Sequence, residues 1–205
     1  MRFHRLIHLF ERQQQAKHWE ELTQRPAPDV TVGIMGLGKL GEALARQLKT
    51  LNYRLIGYRR SAVEIEGVEI FHGADQVKTF LGRAEILVLL MPATQETRHI
   101  LNEETLAYLP TGAFVINAGR GDLIDEPALL SALDSGHLGG AALDVFEQEP
   151  LPEENPLWNH PKVLVTPHIG SITFPPTACR YIADAIRDHK ATGQWPNLVK
   201  TEAGY

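Results

Sequence analysis

From Val30 onward, short apolar runs alternate with helical stretches, and this alternation constrains the chain more than any other feature. Val30–Met35, Arg54–Tyr58, Val68–Phe71, Ile86–Met91, Ala113–Asn117, Gly140–Val145 and Val163–Thr166 read as strands. Several of them are apolar at consecutive positions, as in a strand buried on both faces. Between them, Lys39–Thr50, Gln76–Leu81, Glu103–Tyr108 and Glu126–Ser135 read as helices. Asp125 stands where an N-cap belongs and Gly136 where a C′ glycine belongs. Strand–helix alternation predicts the α/β class, a doubly wound parallel sheet covered by helices on both faces. A last helix, from about Thr177 to Thr192, leads to a polar tail ending at Tyr205.

Ahead of this pattern, Phe3, Leu6, Ile7 and Phe10 fall at i, i+3, i+4 and i+7, which predicts an amphipathic opening helix. Its apolar stripe needs a cover, which is expected to be the body of the domain or a second subunit, unless its partner is missing. Pro26 and Pro28 end the helical pattern and mark a linker. The expected organisation is residues 1–28 as helix and linker, 29–170 as the sheet domain, and 171–205 as a C-terminal helix and tail.

Composition narrows the function. With 20 Lys and Arg against 25 Asp and Glu, the net charge of −5 argues against a nucleic-acid partner. The longest apolar run, Ile86 to Met91, is far too short to cross a bilayer, so no membrane span is expected. No segment reads as a signal peptide. The single cysteine, Cys179, fits a reducing cytoplasm and reads as an inert thiol. His4 and His8 are spaced i, i+4 but lack a third ligand, so they read as a surface helix face and no metal site is expected. Arg2, Arg5, Arg12 and Lys17 read as that helix's solvated side. Trp19, Trp158 and Trp195 read as packing or interface residues.

Gly36-Leu37-Gly38-Lys39-Leu40-Gly41 is a GxGxxG placed where it carries meaning, after a strand and opening a helix. Gly36 permits the tight turn, Gly38 lets the backbone approach a pyrophosphate, and Gly41 lets helix and strand pack closely. The N-terminus of the helix, at Lys39 and Leu40, offers N–H groups and partial positive charge to the diphosphate. An NAD site needs an acid at the end of the next strand for the ribose 2′-OH. That stretch, about eighteen residues past Gly41, reads Tyr58-Arg59-Arg60-Ser61. Two guanidinium groups and a hydroxyl suit a 2′-phosphate, so NADP(H) is expected over NAD(H).

Three more motifs end predicted strands: Asn117-Ala118-Gly119-Arg120-Gly121, Asp144-Val145-Phe146-Glu147-Gln148-Glu149-Pro150 and Thr166-Pro167-His168-Ile169-Gly170. Ligands of open α/β sheets bind beyond the carboxyl ends of the strands, so these motifs are expected around one crevice. Arg, Glu and His beside a nicotinamide make a set for reducing a 2-oxo acid. Arg holds the substrate's oxygens, an imidazolium protonates the developing alkoxide, and Glu favours the charged ring.

With these spacings the chain resembles the D-isomer-specific 2-hydroxyacid dehydrogenase family. The resemblance implies catalytic roles for Arg120, Glu149 and His168, and a carboxamide contact for Asp144. It also implies that Pro92 and Thr97 belong to the loop beside the nicotinamide and that Ala118 and Gly119 line the cofactor side. Formate dehydrogenases of the family carry Gln where this chain has Glu149. The likeness is strongest to the glyoxylate/hydroxypyruvate reductase A branch, through Arg59-Arg60, Glu149-Pro150-Leu151-Pro152, Pro156-Leu157-Trp158 and the terminal Gly204-Tyr205. Gly119, where many relatives carry a larger residue, is a departure.

The expected function is reduction of a small 2-oxo acid to the D-2-hydroxy acid, by a homodimer as in the family. Relatives begin with most of a substrate domain, on the order of 100 residues. This chain is expected to start inside the interdomain helix, without the loop that binds the substrate carboxylate. A nucleotide-binding module with impaired catalysis is therefore the open alternative. An NAD-using phosphoglycerate-type dehydrogenase is a third reading, against which Arg59-Arg60 speaks.

Overall fold

The computed structural model describes residues 1–61, 63–196 and 198; the Gly204-Tyr205 terminus lies outside the described residues. The chain divides into two compact units, Met1–Pro167 and His168–Tyr205. The first holds a seven-stranded sheet of β1 (Thr31–Met35), β2 (Arg54–Arg59), β3 (Glu69–His72), β4 (Ile86–Leu89), β5 (Ala113–Asn117), β6 (Leu138–Leu143) and β7 (Val163–Val165). Their order is β3-β2-β1-β4-β5-β6-β7 and every pairing is parallel. This is the doubly wound, Rossmann-type arrangement, and its strand order reverses between β1 and β4.

The sequence makes such a sheet because its strands have two apolar faces. Along β4, Ile86 and Val88 join one core cluster while Leu87 and Leu89 join another, as period-two alternation requires. The same division separates Leu55 from Ile56 on β2. Helices α2 (Lys39–Thr50), α3 (Val77–Leu81), α4 (Glu103–Leu106) and α5 (Glu126–Asp134) connect the strands. Asp125 caps α5 by accepting from the Ala128 N–H at 3.1 Å, and Gly136 beyond its end takes φ +80°. The strand expected over Gly140–Val145 instead starts at Leu138, which pairs with Ala113 ahead of a register shift.

The chain's opening departs from the expected helix. The helix α1 covers Ile7–Gln15, with Leu6 left-handed at its N-cap. Phe3 belongs to the turns before it, and its ring stacks on Phe114 at 4.4 Å. Burying Phe3 against the sheet breaks the phase of the i, i+3, i+4 stripe, and Ile7 is left exposed.

The histidines differ from expectation too. His4 lies in those turns, bonded to the Tyr53 hydroxyl and the Arg25 carbonyl. His8 sits edge-on to Phe3 and Phe114, and burial holds its pKa below the usual value. Neither forms a solvated helix face. Of the neighbouring cations, Arg5, Arg12 and Lys17 are exposed as expected, but only Arg12 lies on α1, where it donates to the Pro161 carbonyl; Arg2 is half-buried and pairs with Glu11. Trp19 is 98% exposed, whereas the Trp158 indole N–H donates to the Pro152 carbonyl.

The second unit contains α6 (Pro175–Thr192), begun by two prolines and ended by left-handed Gly193. Cys179 on it is exposed, and the His189 ring stacks on Trp195. Among the described residues, no helix is long and apolar enough to cross a membrane, and no group of three or more His, Cys, Asp or Glu could hold a metal ion.

Candidate active site at the carboxyl edge of the sheet

Because all seven strands run the same way, the segments following them gather on one edge. The turn after β1 is set by what its glycines lack. Gly36 has φ +109°, and a Cβ there would lie 2.7 Å from the backbone of Leu90 and Met91. The turn therefore packs directly on the chain leaving β4, at the point where strand order reverses. A Cβ on Gly41 would stand 2.2 Å from the Gly36 carbonyl oxygen, which fixes the approach of α2. Gly38 is the opposite case. It N-caps α2 with no side chain bonded there, and a Cβ on it would meet nothing within 4 Å. That open space at a helix N-terminus fits a diphosphate approached by backbone. Lys39 and Leu40 follow it, both exposed.

β2 ends in half-buried Arg59, followed by exposed Arg60 and Ser61. No acid stands at this strand end. Glu96, in the segment after β4, has its pKa lowered by its bond from the Thr94 hydroxyl, then by its own N–H, and least by the charge of Arg60. The Arg60 guanidinium is thus within electrostatic reach of the β4 segment. Nothing in the spacing of the two residues pointed to that.

The β4 segment is braced internally. The Thr97 hydroxyl donates to the Pro92 carbonyl at 2.8 Å and accepts from the Thr94 N–H at 2.8 Å. After β5, Ala118 donates its N–H to the Leu89 carbonyl, and Asn117 clamps the turn. The Asn117 carboxamide oxygen accepts from the Gly119 N–H and its nitrogen donates to the Arg120 carbonyl. Gly119 is buried, and a Cβ on it would lie 2.9 Å from the Met91 carbonyl oxygen. Arg120 is exposed, its guanidinium donating to the Gly119 carbonyl at 2.6 Å.

After β6, Asp144 is 8% exposed and accepts from the Thr166 hydroxyl at 2.5 Å. The Glu149 carboxylate accepts from the Phe146 N–H at 3.0 Å, closing a tight loop. The Arg120 turn and this loop meet through Gly121, where a Cβ would fall 1.8 Å from the Phe146 carbonyl carbon. Backbone lies on backbone there, so the segments bearing Arg120 and Glu149 are brought together. His168 opens the second unit, exposed and with φ 52°.

Sequence reasoning missed a group beside this loop. His99, two residues past Thr97, pairs its imidazole with the Glu147 carboxylate, and Glu126 accepts from the Glu147 N–H at 3.1 Å. These residues come from three separate segments, and no motif spacing joins them.

Residues 1–170 match the family described as "D-isomer specific 2-hydroxyacid dehydrogenase, NAD binding domain". Similar solved structures include a D-isomer specific 2-hydroxyacid dehydrogenase from Xanthobacter autotrophicus Py2 in complex with NADPH and MES. It is 45% identical with a TM-score of 0.95, over 100% of this chain and 84% of that one. An NADPH-dependent glyoxylate/hydroxypyruvate reductase from Sinorhizobium meliloti, in complex with NADP and sulfate, is 39% identical with a TM-score of 0.95. A probable 2-hydroxyacid dehydrogenase from Rhizobium etli CFN 42, in complex with NADP, HEPES and L(+)-tartaric acid, is 35% identical with a TM-score of 0.94. All of this chain aligns with each of these two, but it spans only 66% of their length.

Proposed function

The chain belongs to the D-isomer specific 2-hydroxyacid dehydrogenase family, and from that premise we propose that it binds NADP(H) and serves the reduction of a small 2-oxo acid to its D-2-hydroxy acid. The open space at Gly38, beside the reversal of strand order, carries the nucleotide part of this reading. Gly36, Gly38, Lys39, Leu40 and Gly41 would hold the diphosphate. Arg59, Arg60 and Ser61 would hold the 2′-phosphate, and Arg binds such a dianion in bidentate fashion. Pro92, Thr97, Ala118, Gly119 and Asp144 would line the nicotinamide end.

Bound NADPH supplies the hydride for C2 of the oxo acid. Arg120 holds the acid's carbonyl and carboxylate oxygens in register. His168 would give a proton to the oxygen at C2, with Glu149 as the carboxylate that would orient its ring. The proton returns to His168 from solvent, so the residue is ready for the next turnover. Residues 1–28 and 171–205 flank the nucleotide domain in this reading. Glyoxylate and hydroxypyruvate are the substrates of choice because the Sinorhizobium relative acts on them. A homodimer rests on the family likeness, and a cytoplasmic setting on the single thiol.

Calorimetric titration with NADPH and NADH, alongside loss of NADPH absorbance with glyoxylate and with hydroxypyruvate, tests the proposal. NADPH is expected to bind more tightly than NADH. Arg59→Ala with Arg60→Ala is expected to cost NADPH on the order of tenfold in affinity and NADH little. Tighter binding of NADH would sink the NADP assignment. NADPH binding without turnover would leave a nucleotide-binding module.

A further inference from the structure

At the edge of the sheet where β3 pairs with β2, two side chains stand that the fold itself does not use. Along β2, Leu55 and Gly57 face one side of the sheet, and Ile56 and Tyr58 face the other. A Cβ on Gly57 would lie 2.2 Å from Leu37, so the glycine turn after β1 lays a side chain across β2 at that point. Arg59 is the next residue on this face, at the end of the strand. The parallel register pairs it with His72 at the end of β3, as it pairs Gly57 with Ile70. Register partners in a parallel ladder point to the same face, and neighbouring strands lie about 5 Å apart. Arg59 and His72 therefore stand side by side on the carboxyl edge, on the face over which the glycine turn reaches.

The backbone at the end of β3 is anchored. The His72 N–H donates to the Gln76 carboxamide oxygen at 2.9 Å, and the Gly73 carbonyl accepts from the Tyr58 hydroxyl at 3.2 Å. The imidazole takes part in neither bond. Among the described residues, neither the His72 imidazole nor the Arg59 guanidinium has a hydrogen bond or an ion pair, although Arg59 is half-buried. Acids on β3 and beside it are engaged elsewhere. Glu69 pairs with Arg83, and Glu66 with Lys49. Asp75 folds its carboxylate over Gly73, and its charge, after burial, raises the pKa of the Tyr58 hydroxyl, which belongs to the opposite face. A half-buried guanidinium without a counter-charge suits an anion from outside the chain.

We propose that His72 is a further binding residue for the 2′-phosphate of NADP(H), closing that subsite from β3 while Arg59 holds it from β2. This rests on the dinucleotide reading above, and adds to it a residue that lies in none of the sequence motifs. A dianion between the two strand ends can accept from the guanidinium and from the imidazole at once. An imidazole presents an N–H donor whether neutral or charged, so the contact does not depend on its titration. NAD(H) has only a 2′-hydroxyl there and gains little from either group. His72 thus contributes to the choice between the two cofactors, and not to the chemistry at the nicotinamide.

Calorimetric titration with NADPH, NADH, adenosine 2′,5′-bisphosphate and adenosine 5′-monophosphate tests this without any turnover. The wild type is expected to prefer, in each pair, the ligand that carries the 2′-phosphate. His72→Ala should weaken NADPH and the bisphosphate about three- to tenfold, and leave NADH and the monophosphate unchanged. His72→Gln keeps an N–H donor and should recover most of that affinity. His72→Glu should cost more than alanine does, because it sets a like charge against the dianion. Since the imidazole has no partner among the described residues, all three variants should unfold at the wild-type denaturation midpoint. A structural role for His72 would instead weaken all four ligands together.

The two readings fail in different ways. If the wild type prefers NADPH and His72→Ala binds it equally well, the role of His72 falls and the dinucleotide reading stands. Equal loss of all four ligands in His72→Ala likewise overturns the role of His72 alone. A wild type that prefers NADH, shows no preference, or binds none of the four overturns both the NADP assignment and the role of His72.

Discussion

Two glycine-rich turns leave the same edge of the sheet, Gly36–Gly41 after β1 and Asn117–Gly121 after β5, and they use the missing side chain in opposite ways. In the first, Gly36 and Gly41 admit backbone while Gly38 leaves space that the protein does not fill. In the second, both glycines are filled by the protein itself, Gly119 by the Met91 carbonyl and Gly121 by Phe146. A glycine-rich turn is therefore not in itself a ligand cradle. What distinguishes the first is the vacancy at the start of a twelve-residue helix. The second is a joint, which holds the Arg120 and Glu149 segments together.

Substitutions by alanine sharpen this contrast, read as denaturation midpoints. Gly121→Ala is expected to be the most damaging, because the added carbon would have to displace backbone rather than a flexible side chain. The cost should be roughly 3 kcal/mol or more, at the upper end of overpacking effects. Gly119→Ala should cost less, about 1–2 kcal/mol, since Leu123 can yield even though the Met91 carbonyl cannot. Gly38→Ala should cost least, about 1 kcal/mol or less, the difference between Gly and Ala at an N-cap. The same variant should lose on the order of tenfold in NADPH affinity, because the methyl group occupies the space meant for the diphosphate. If Gly38→Ala binds NADPH like the wild type, or if Gly121→Ala melts like it, the distinction between vacancy and joint collapses.

The sheet was legible in sequence because both faces of its strands are apolar and because its turns carry Gly36, Gly38 and Gly41. All seven predicted strands occur, with no end shifted by more than two residues. The opening helix was read less well. Only Ile7 and Phe10 of the predicted stripe lie in α1, because Phe3 is recruited by Phe114, more than a hundred residues away, and tertiary packing overrides the local period. The candidate site divides in the same manner. Residues at strand ends, such as Arg120 and Asp144, could be placed from the α/β pattern alone. The Gly121–Phe146 joint, the reach of Arg60 towards Glu96, and the His99–Glu147 pair could not, because each depends on the spatial neighbourhood of segments distant in sequence.

The joint at Gly121 also has a mechanical meaning. Backbone seated on backbone transmits displacement without slack, whereas a bond between two flexible side chains stretches and breaks first. The wall of the crevice that carries Arg120 and Glu149 therefore behaves as one stiff body.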